Sequence, residues 1–257
     1  MLTVGSLFAG IGGIDLGLER AGMQVRWQVE IDDYCRRVLA KHWPEVTRYA
    51  DIRDVGAHNL EPVDLIAGGF PCQDISFAGK GAGINGERSG LWREFARVVR
   101  ELRPRYVLVE NSSALTFRGL GDVLADLAVL GYDAEWSVLS ACALGAPHTR
   151  ERLFVVAYRD CPGLQASGPG GDRDDAAVFG RRAHSEHLHP VAVSGSGSGR
   201  THWSTEPPVG RMADGVSKEL DRHRLRALGN AVVPQVAEWI GRRIVEVEKR
   251  RRLRQTG

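Results

Sequence analysis

The order of apolar and amphipathic stretches along the first 157 residues predicts an α/β fold. Short apolar runs that suit strands lie at 2–8, 24–29, 63–67, 106–109, 133–139 and 153–157. Stretches with apolar positions at helical spacing alternate with these runs, at 14–21, 33–42, 91–102 and 120–130. Because buried strands that alternate with helices are typical of parallel sheets, the sequence predicts a doubly wound, mostly parallel sheet.

The pattern changes in the second half of the chain. From 158 to 218, glycine, serine, proline, aspartate and histidine dominate, and apolar residues are too sparse for a substantial core. Helical periodicity returns from Gln235 to about Val247. The sequence therefore predicts a main domain over 1–157, a short irregular region over 158–218, and a segment over 219–257 that returns to the main domain.

Charge and cysteine content narrow the function classes only slightly. The formal net charge of +2 does not by itself indicate nucleic acid, and the basic stretch 249–254 is more typical of a solvated helix end than of a DNA groove. Cys35, Cys72, Cys142 and Cys161 are scattered, so neither a disulfide framework nor a metal site is expected. No apolar stretch is long enough to cross a bilayer, and no signal-peptide pattern is present, which favours a cytoplasmic protein.

One turn carries a cysteine at the position where open α/β sheets place their chemistry. Gly68 and Gly69 follow the apolar run 63–67, and Pro71 fixes its own φ just before Cys72. We expect the two glycines to let the backbone leave the strand in conformations that other residues avoid. A thiol at the carboxyl end of a strand can act as a nucleophile.

A second turn, after the first predicted strand, is typical of a nucleotide site. Gly10, Gly12 and Gly13 expose backbone N–H groups to a ligand, and Glu30 follows at a distance that suits ribose hydroxyls. Asp15 stands where the dinucleotide fingerprint has its third glycine. The pattern thus indicates an adenosine-type cofactor, without separating NAD from S-adenosylmethionine.

Four short motifs occur in a specific order along the chain. They are Pro71-Cys72-Gln73, Glu110-Asn111, the Arg150/Arg152 pair and Gly229-Asn230. With these motifs, residues 3–157 and 222–242 resemble the cytosine-5 DNA methyltransferases, in particular the short phage and bacterial enzymes. The chain departs from the usual family pattern at His148, where glutamine is common, and at Ser112, where valine is common.

The resemblance implies a Rossmann-like methyltransferase fold that binds S-adenosylmethionine. Glu30 would bind the ribose hydroxyls, Ile31 would pack on the adenine, and Asp51 with Ile52 would read the adenine edge. The full set of implied cofactor-binding residues is Phe8, Ala9, Gly10, Ile11, Gly12, Gly13, Glu30, Ile31, Asp51, Ile52, Leu91, Asn230 and Ala231.

The resemblance also implies the roles of the catalytic residues. Cys72 would attack carbon 6 of cytosine, Glu110 would act at N3, and Arg152 would contact the pyrimidine carbonyl. The implied catalytic set also contains Arg150 and Asn111, and the implied substrate contacts are Pro71, Gln73 and Ser76. For Glu110 to donate a proton, a desolvated pocket must raise its pKa; a structural ion pair with Arg152 is the alternative role for both side chains.

The implied partner is duplex DNA, from which the target base must be flipped out. We expect the glycine-rich loop 77–90 to close behind that base, 158–218 to be the target-recognition region, and the protein to be a monomer, with a cognate restriction endonuclease as a candidate partner. Three alternatives stay open: the same chemistry on RNA, a nicotinamide-dependent oxidoreductase, and a DNA-binding protein that has lost catalysis.

Overall fold

The computed structural model describes residues 1–71, 90–159, 178 and 218–255, with side chains described from 223 to 253 in the last of these ranges. Within them the strands are β1 Thr3–Leu7, β2 Gln24–Val29, β3 Thr47–Tyr49, β4 Leu65–Gly69, β5 Tyr106–Ser112, β6 Asp133–Ser140 and β7 Glu151–Tyr158. The helices are α1 Gly13–Arg20, α2 Asp33–His42, α3 Leu91–Leu102, α4 Leu115–Arg118, α5 Leu120–Val129, α6 Lys218–Asn230 and α7 Pro234–Gln255. Short 3₁₀ turns occupy Ile52–Asp54 and Ala141–Leu144.

The described strands form a single mixed sheet in the order β3-β2-β1-β4-β5-β7-β6. The pairs from β3 to β5 are parallel, and β7 runs antiparallel to both β5 and β6. The order in which successive strands join the sheet reverses between β1 and β4. Because β1 and β4 are parallel, their carboxyl ends lie at the same edge, where open α/β sheets bind ligands. The predicted doubly wound, mostly parallel sheet is therefore confirmed.

The core forms two layers because successive strand residues point to opposite faces of the sheet. In β4, Leu65 and Ala67 pack in one apolar cluster with Leu18 of α1 and Ile240 of α7. Ile66 packs in the other cluster, with residues of α3 and α5. Burial on both faces explains why the strands read as continuous apolar runs.

The glycines at the end of β4 differ from the prediction. Gly68 and Gly69 lie inside the strand, and neither has a positive φ. They are required for space instead: a Cβ at Gly68 would lie 2.1 Å from the carbonyl oxygen of Leu7, and one at Gly69 would lie 2.3 Å from Oε2 of Glu110. The sequence predicted a conformational role because it does not reveal which neighbours approach a strand.

The basic C-terminal stretch is also more firmly anchored than predicted. Helix α7 continues to Gln255, and Glu248 is 4% exposed. Its carboxylate accepts hydrogen bonds from the guanidinium of Arg105 and from the hydroxyl of Tyr106, at 3.0 Å, and it pairs with Arg252 at 2.9 Å. The helix end is thus tied to the sheet rather than only solvated. In the part of the chain that the structure describes, no helix is long and apolar enough to span a membrane.

Candidate active site

A cavity lies at the carboxyl edge of the sheet, where the chain leaves β1, β2, β4 and β5. The glycine turn and Glu30 line one side of it, and the ends of β4 and β5 line another. Helix α6 forms a further wall. Because all of these segments border the same space, a cofactor in the turn would lie beside a substrate at the end of β5.

The glycine turn is held in place by Glu30. The Gly10 N–H donates to one carboxylate oxygen of Glu30 and the Asp32 N–H donates to the other, both at 2.7 Å. Phe8 and Gly10 have φ values of +54° and +57°, as a tight left-handed turn requires. Burial raises the pKa of Glu30, partly offset by these backbone donors. The carboxylate therefore fixes the turn and still borders the cavity, as a ribose-binding acid must.

Some of the predicted cofactor residues lie elsewhere. Ile11 and Gly12 face a second cavity behind the turn, where a Cβ at Gly12 would lie 2.5 Å from the Trp43 ring. Asp51 is paired with the Arg53 guanidinium at 2.6 Å. Ile11, Gly12 and Asp51 do not line the first cavity. Two further predicted residues do not line it either: Ile52 is buried in the core, and Leu91 packs on the α3 side of the sheet. The predicted cofactor residues that do line it are Phe8, Ala9, Gly10, Gly13, Glu30, Ile31, Asn230 and Ala231.

An acid and an arginine meet at the end of β5. Glu110 is 8% exposed, and its Oε1 lies 3.0 Å from Nε of Arg152 on the antiparallel strand β7. Burial raises the pKa of Glu110 to about 7, although the positive charges of Arg152 and Arg150 act to lower it. Both the ionised and the protonated forms of Glu110 are therefore available near neutral pH. A side chain that acts as a general acid or general base needs both forms.

Asn111 fixes the turn that follows β4. Its Nδ2 donates to the carbonyl oxygen of Phe70 at 3.1 Å, and its Oδ1 accepts the Ser112 N–H at 2.8 Å. Pro71 follows Phe70 and lines the cavity. Because Asn111 is buried and occupied with backbone, its contribution to the site is to position this turn. The described residues do not include Cys72, Gln73, Ser76 or most of 158–218, and of the predicted closing loop 77–90 they include only Gly90.

Sequence reasoning missed the wall contributed by α6. His223, Arg226 and Ala227 line the cavity together with Asn230. The spacing of these residues puts them on one face of a helix, so the helical pattern itself could have identified them. The ring of His223 also stacks on Tyr34 of α2, with centroids 6.1 Å apart. The sequence predicts that 219–257 returns to the main domain but predicts a helix only from Gln235, so these side chains were not assigned to the site.

Arg150 does not line the cavity, although it stands two residues from Arg152. Its guanidinium donates to the carbonyl oxygens of Gly229 and Ala231 at the end of α6. The structure thus brings Glu110 and Arg152 together at the site and places Arg150 behind its wall.

Comparisons with known proteins show which family the chain resembles. The sequence model of the family described as C-5 cytosine-specific DNA methylase matches residues 2–167. Type II methyltransferase M.Eco47II of Escherichia coli is 40% identical over 167 residues, which cover 62% of this chain and 40% of that protein. Type II methyltransferase M.HhaI of Haemophilus parahaemolyticus is 32% identical over 163 residues, which cover 62% of this chain and 50% of that protein.

A solved methyltransferase structure has a similar fold. A methyltransferase assigned to DNA modification and encoded within an E. coli prophage superimposes with a TM-score of 0.53 at 30% identity, over 62% of this chain and 47% of that one. The chain therefore spans about half or less of the length of the relatives that it matches.

Proposed function

Because the chain belongs to the family of C-5 cytosine-specific DNA methylases, we propose that it transfers the methyl group of S-adenosylmethionine to carbon 5 of cytosine in duplex DNA. The observation that carries this proposal is the shared cavity. It is lined both by the turn that Gly10 and Glu30 form and by the pair of Glu110 and Arg152. A methyl donor and a pyrimidine can therefore be held side by side.

The residues of the cavity fit the cofactor. S-Adenosylmethionine, when bound, supplies an electrophilic methyl group on a sulfonium centre. The carboxylate of Glu30 borders the cavity and can accept hydrogen bonds from ribose hydroxyls, while Ile31, 65% exposed, offers an apolar surface to the adenine. Asn230 and Ala231 also line the cavity and would face the methionine end.

The acid and the arginine suit a negative charge that develops on a pyrimidine ring. In the proposed reaction the Cys72 thiolate forms a bond to carbon 6, and the electrons of the 5,6 double bond move into the ring. Glu110 in its protonated form donates to N3 and Arg152 donates to the O2 carbonyl, so the charge is stabilised where it accumulates. Carbon 5 then takes the methyl group, with S-adenosylhomocysteine as the leaving group. Solvent water accepts the carbon 5 proton, the electrons of that bond restore the 5,6 double bond, and Cys72 leaves as the thiolate. N3 returns its proton to Glu110.

A cytosine within a duplex cannot reach a side chain as enclosed as Glu110, so the target base must be flipped into the cavity. We propose that 158–218 supplies target recognition. We also propose a cytoplasmic monomer, and the names of the type II relatives make a cognate restriction endonuclease a candidate partner.

The test is incorporation of a labelled methyl group. The protein is incubated with methyl-labelled S-adenosylmethionine and either unmethylated genomic DNA or mixed RNA transcripts, and the nucleosides are then separated. We expect label in 5-methyldeoxycytidine, and a loss of about 100-fold or more in Glu110→Gln, whose amide cannot transfer a proton. Label in RNA alone would replace the DNA proposal by the RNA alternative, and label in neither would refute methyl transfer.

A further inference from the structure

Arg150 has an unusual backbone conformation. Its φ is +29°, in the left-handed region that residues other than glycine rarely adopt. Such a conformation persists only where the surrounding contacts impose it, and it is often associated with function. The contacts made by Arg150 therefore need a specific explanation.

The guanidinium of Arg150 binds the junction between α6 and α7. Nη2 donates to the carbonyl oxygen of Gly229 at 2.7 Å and to that of Ala231 at 2.5 Å. Carbonyls at the end of a helix lack partners within it, and a cation there is favoured by the helix dipole. Because the two carbonyls flank Asn230, one side chain fixes the backbone on both sides of that residue.

The junction held in this way is the wall of the cofactor cavity. Asn230 and Ala231 line the cavity, whereas Arg150 approaches them from the second cavity behind. The glycine turn packs closely against the same segment, since a Cβ at Gly13 would lie 2.3 Å from the carbonyl oxygen of Val232. A small displacement of the junction would thus change the shape of the cofactor cavity.

Arg150 also acts on the acid at the other end of the cavity. It lies immediately before β7, two residues before Arg152, and its positive charge acts to lower the pKa of Glu110 against the effect of burial. Its own Nε is buried and has no hydrogen-bond partner among the described residues. Hydrogen bonds therefore compensate only part of the cost of burying the Arg150 charge. A side chain with a purely structural role would not need to bury a charge at this cost.

We propose that Arg150 is a positioning residue that fastens the Asn230–Ala231 wall of the cofactor cavity to the strand that carries Arg152. The side chain thereby joins the cofactor end of the site to the pyrimidine end. This inference rests on the proposed function, because it takes the cavity to bind S-adenosylmethionine.

Two variants separate the hydrogen bonds of Arg150 from its charge. Arg150→Met removes both, whereas Arg150→Lys keeps the charge but cannot reproduce the guanidinium geometry. Arg159 provides a matched control: it follows the other end of β7, and its Nε donates to the Pro104 carbonyl oxygen at 3.1 Å. The affinity for S-adenosylhomocysteine is measured by calorimetry, and the pH dependence of methyl transfer is measured for each variant.

We expect Arg150→Met to bind S-adenosylhomocysteine about tenfold more weakly, because the wall formed by Asn230 and Ala231 loses the two charge-assisted hydrogen bonds that hold it. The alkaline limb of its pH profile should move to higher pH, because Glu110 keeps its proton longer. Arg150→Lys should lose affinity while the pH profile stays in place, and Arg159→Met should lose only thermal stability.

Two results would overturn the inference. Unchanged affinity and pH profile in both Arg150 variants, with a loss of stability like that of Arg159→Met, would make Arg150 merely structural. A wild-type protein that does not bind S-adenosylhomocysteine would remove the proposed function and this inference with it, so the two failures are distinguishable.

Discussion

A single added methyl group at Gly69 should disable the site while leaving the fold intact. Gly69 pairs with Glu110 across β4 and β5, and its backbone has no positive φ, so alanine fits the local conformation. The added Cβ would, however, lie 2.3 Å from Oε2 of Glu110. The carboxylate is the end of a side chain and can move, so the clash is relieved at the expense of its position.

The size of the effect follows from that distance. Ordinary contact with a Cβ begins near 3.4 Å, so the carboxylate must shift by about 1 Å. A misplacement of this size in a catalytic group costs about 100-fold in rate. The shift also moves Glu110 away from Arg152, now 3.0 Å distant, and loss of that contact raises the pKa of the acid further.

The assay compares Gly69→Ala with two other glycine variants. Methyl transfer to DNA is measured beside thermal unfolding. Gly68→Ala should lower the free energy of unfolding by about 3 kcal/mol, because its Cβ would lie 2.1 Å from the backbone oxygen of Leu7. A backbone atom within the sheet cannot move freely to relieve this contact. Gly121→Ala meets nothing within 4 Å and should leave activity unchanged. Normal kcat in a folded Gly69→Ala protein would refute the assigned role of Glu110.

Two further predictions concern buried charges away from the reacting atoms. Burial raises the pKa of Asp15 from 3.8 to about 6, so its ionisation above that pH destabilises the fold by about 3 kcal/mol, a penalty that disappears below pH 3.8. Asp15→Asn should therefore raise the urea midpoint at pH 8 but not at pH 4, and an equal shift at both pH values would contradict the assignment. Glu248→Ala should cost about 3 kcal/mol because it leaves Arg105 and the Tyr106 hydroxyl without their carboxylate. The exposed ion pair between Glu246 and Arg250 should contribute less than about 1 kcal/mol to stability. Equal effects of Glu246→Ala and Glu248→Ala on urea unfolding would therefore contradict the anchoring role of Glu248.

The sheet could be predicted from the sequence because its strands are buried on both faces. The apolar run 24–29 and the amphipathic stretches 33–42 and 91–102 coincide with β2, α2 and α3 as the structure has them. Periodicity identifies such elements since burial alone determines their composition. Close approach between strands is different, and the space requirement at Gly68 and Gly69 depends on neighbours distant in the sequence.

The residues of the site could be predicted from the sequence more readily than the contacts between them. The order of motifs identified both Glu110 and Arg152 as candidate site residues, and the structure places them in contact. The destination of the Arg150 side chain depends on where α6 ends, and no local pattern encodes that. The wall formed by His223 and Arg226 was missed although its helical spacing is visible in the sequence, because a helix was predicted only from Gln235.

Covalent trapping tests the central proposal most directly. The protein is mixed with S-adenosylmethionine and DNA in which 5-fluorocytosine replaces cytosine; the fluorine cannot leave carbon 5 as a proton does, so a covalent adduct persists. We predict a protein–DNA adduct attached at Cys72, stable to denaturant, that forms only with cofactor, is absent in Cys72→Ala and forms more slowly in Glu110→Gln. An adduct that forms equally well in Cys72→Ala, or no adduct with the intact protein on DNA that it methylates, would contradict the account.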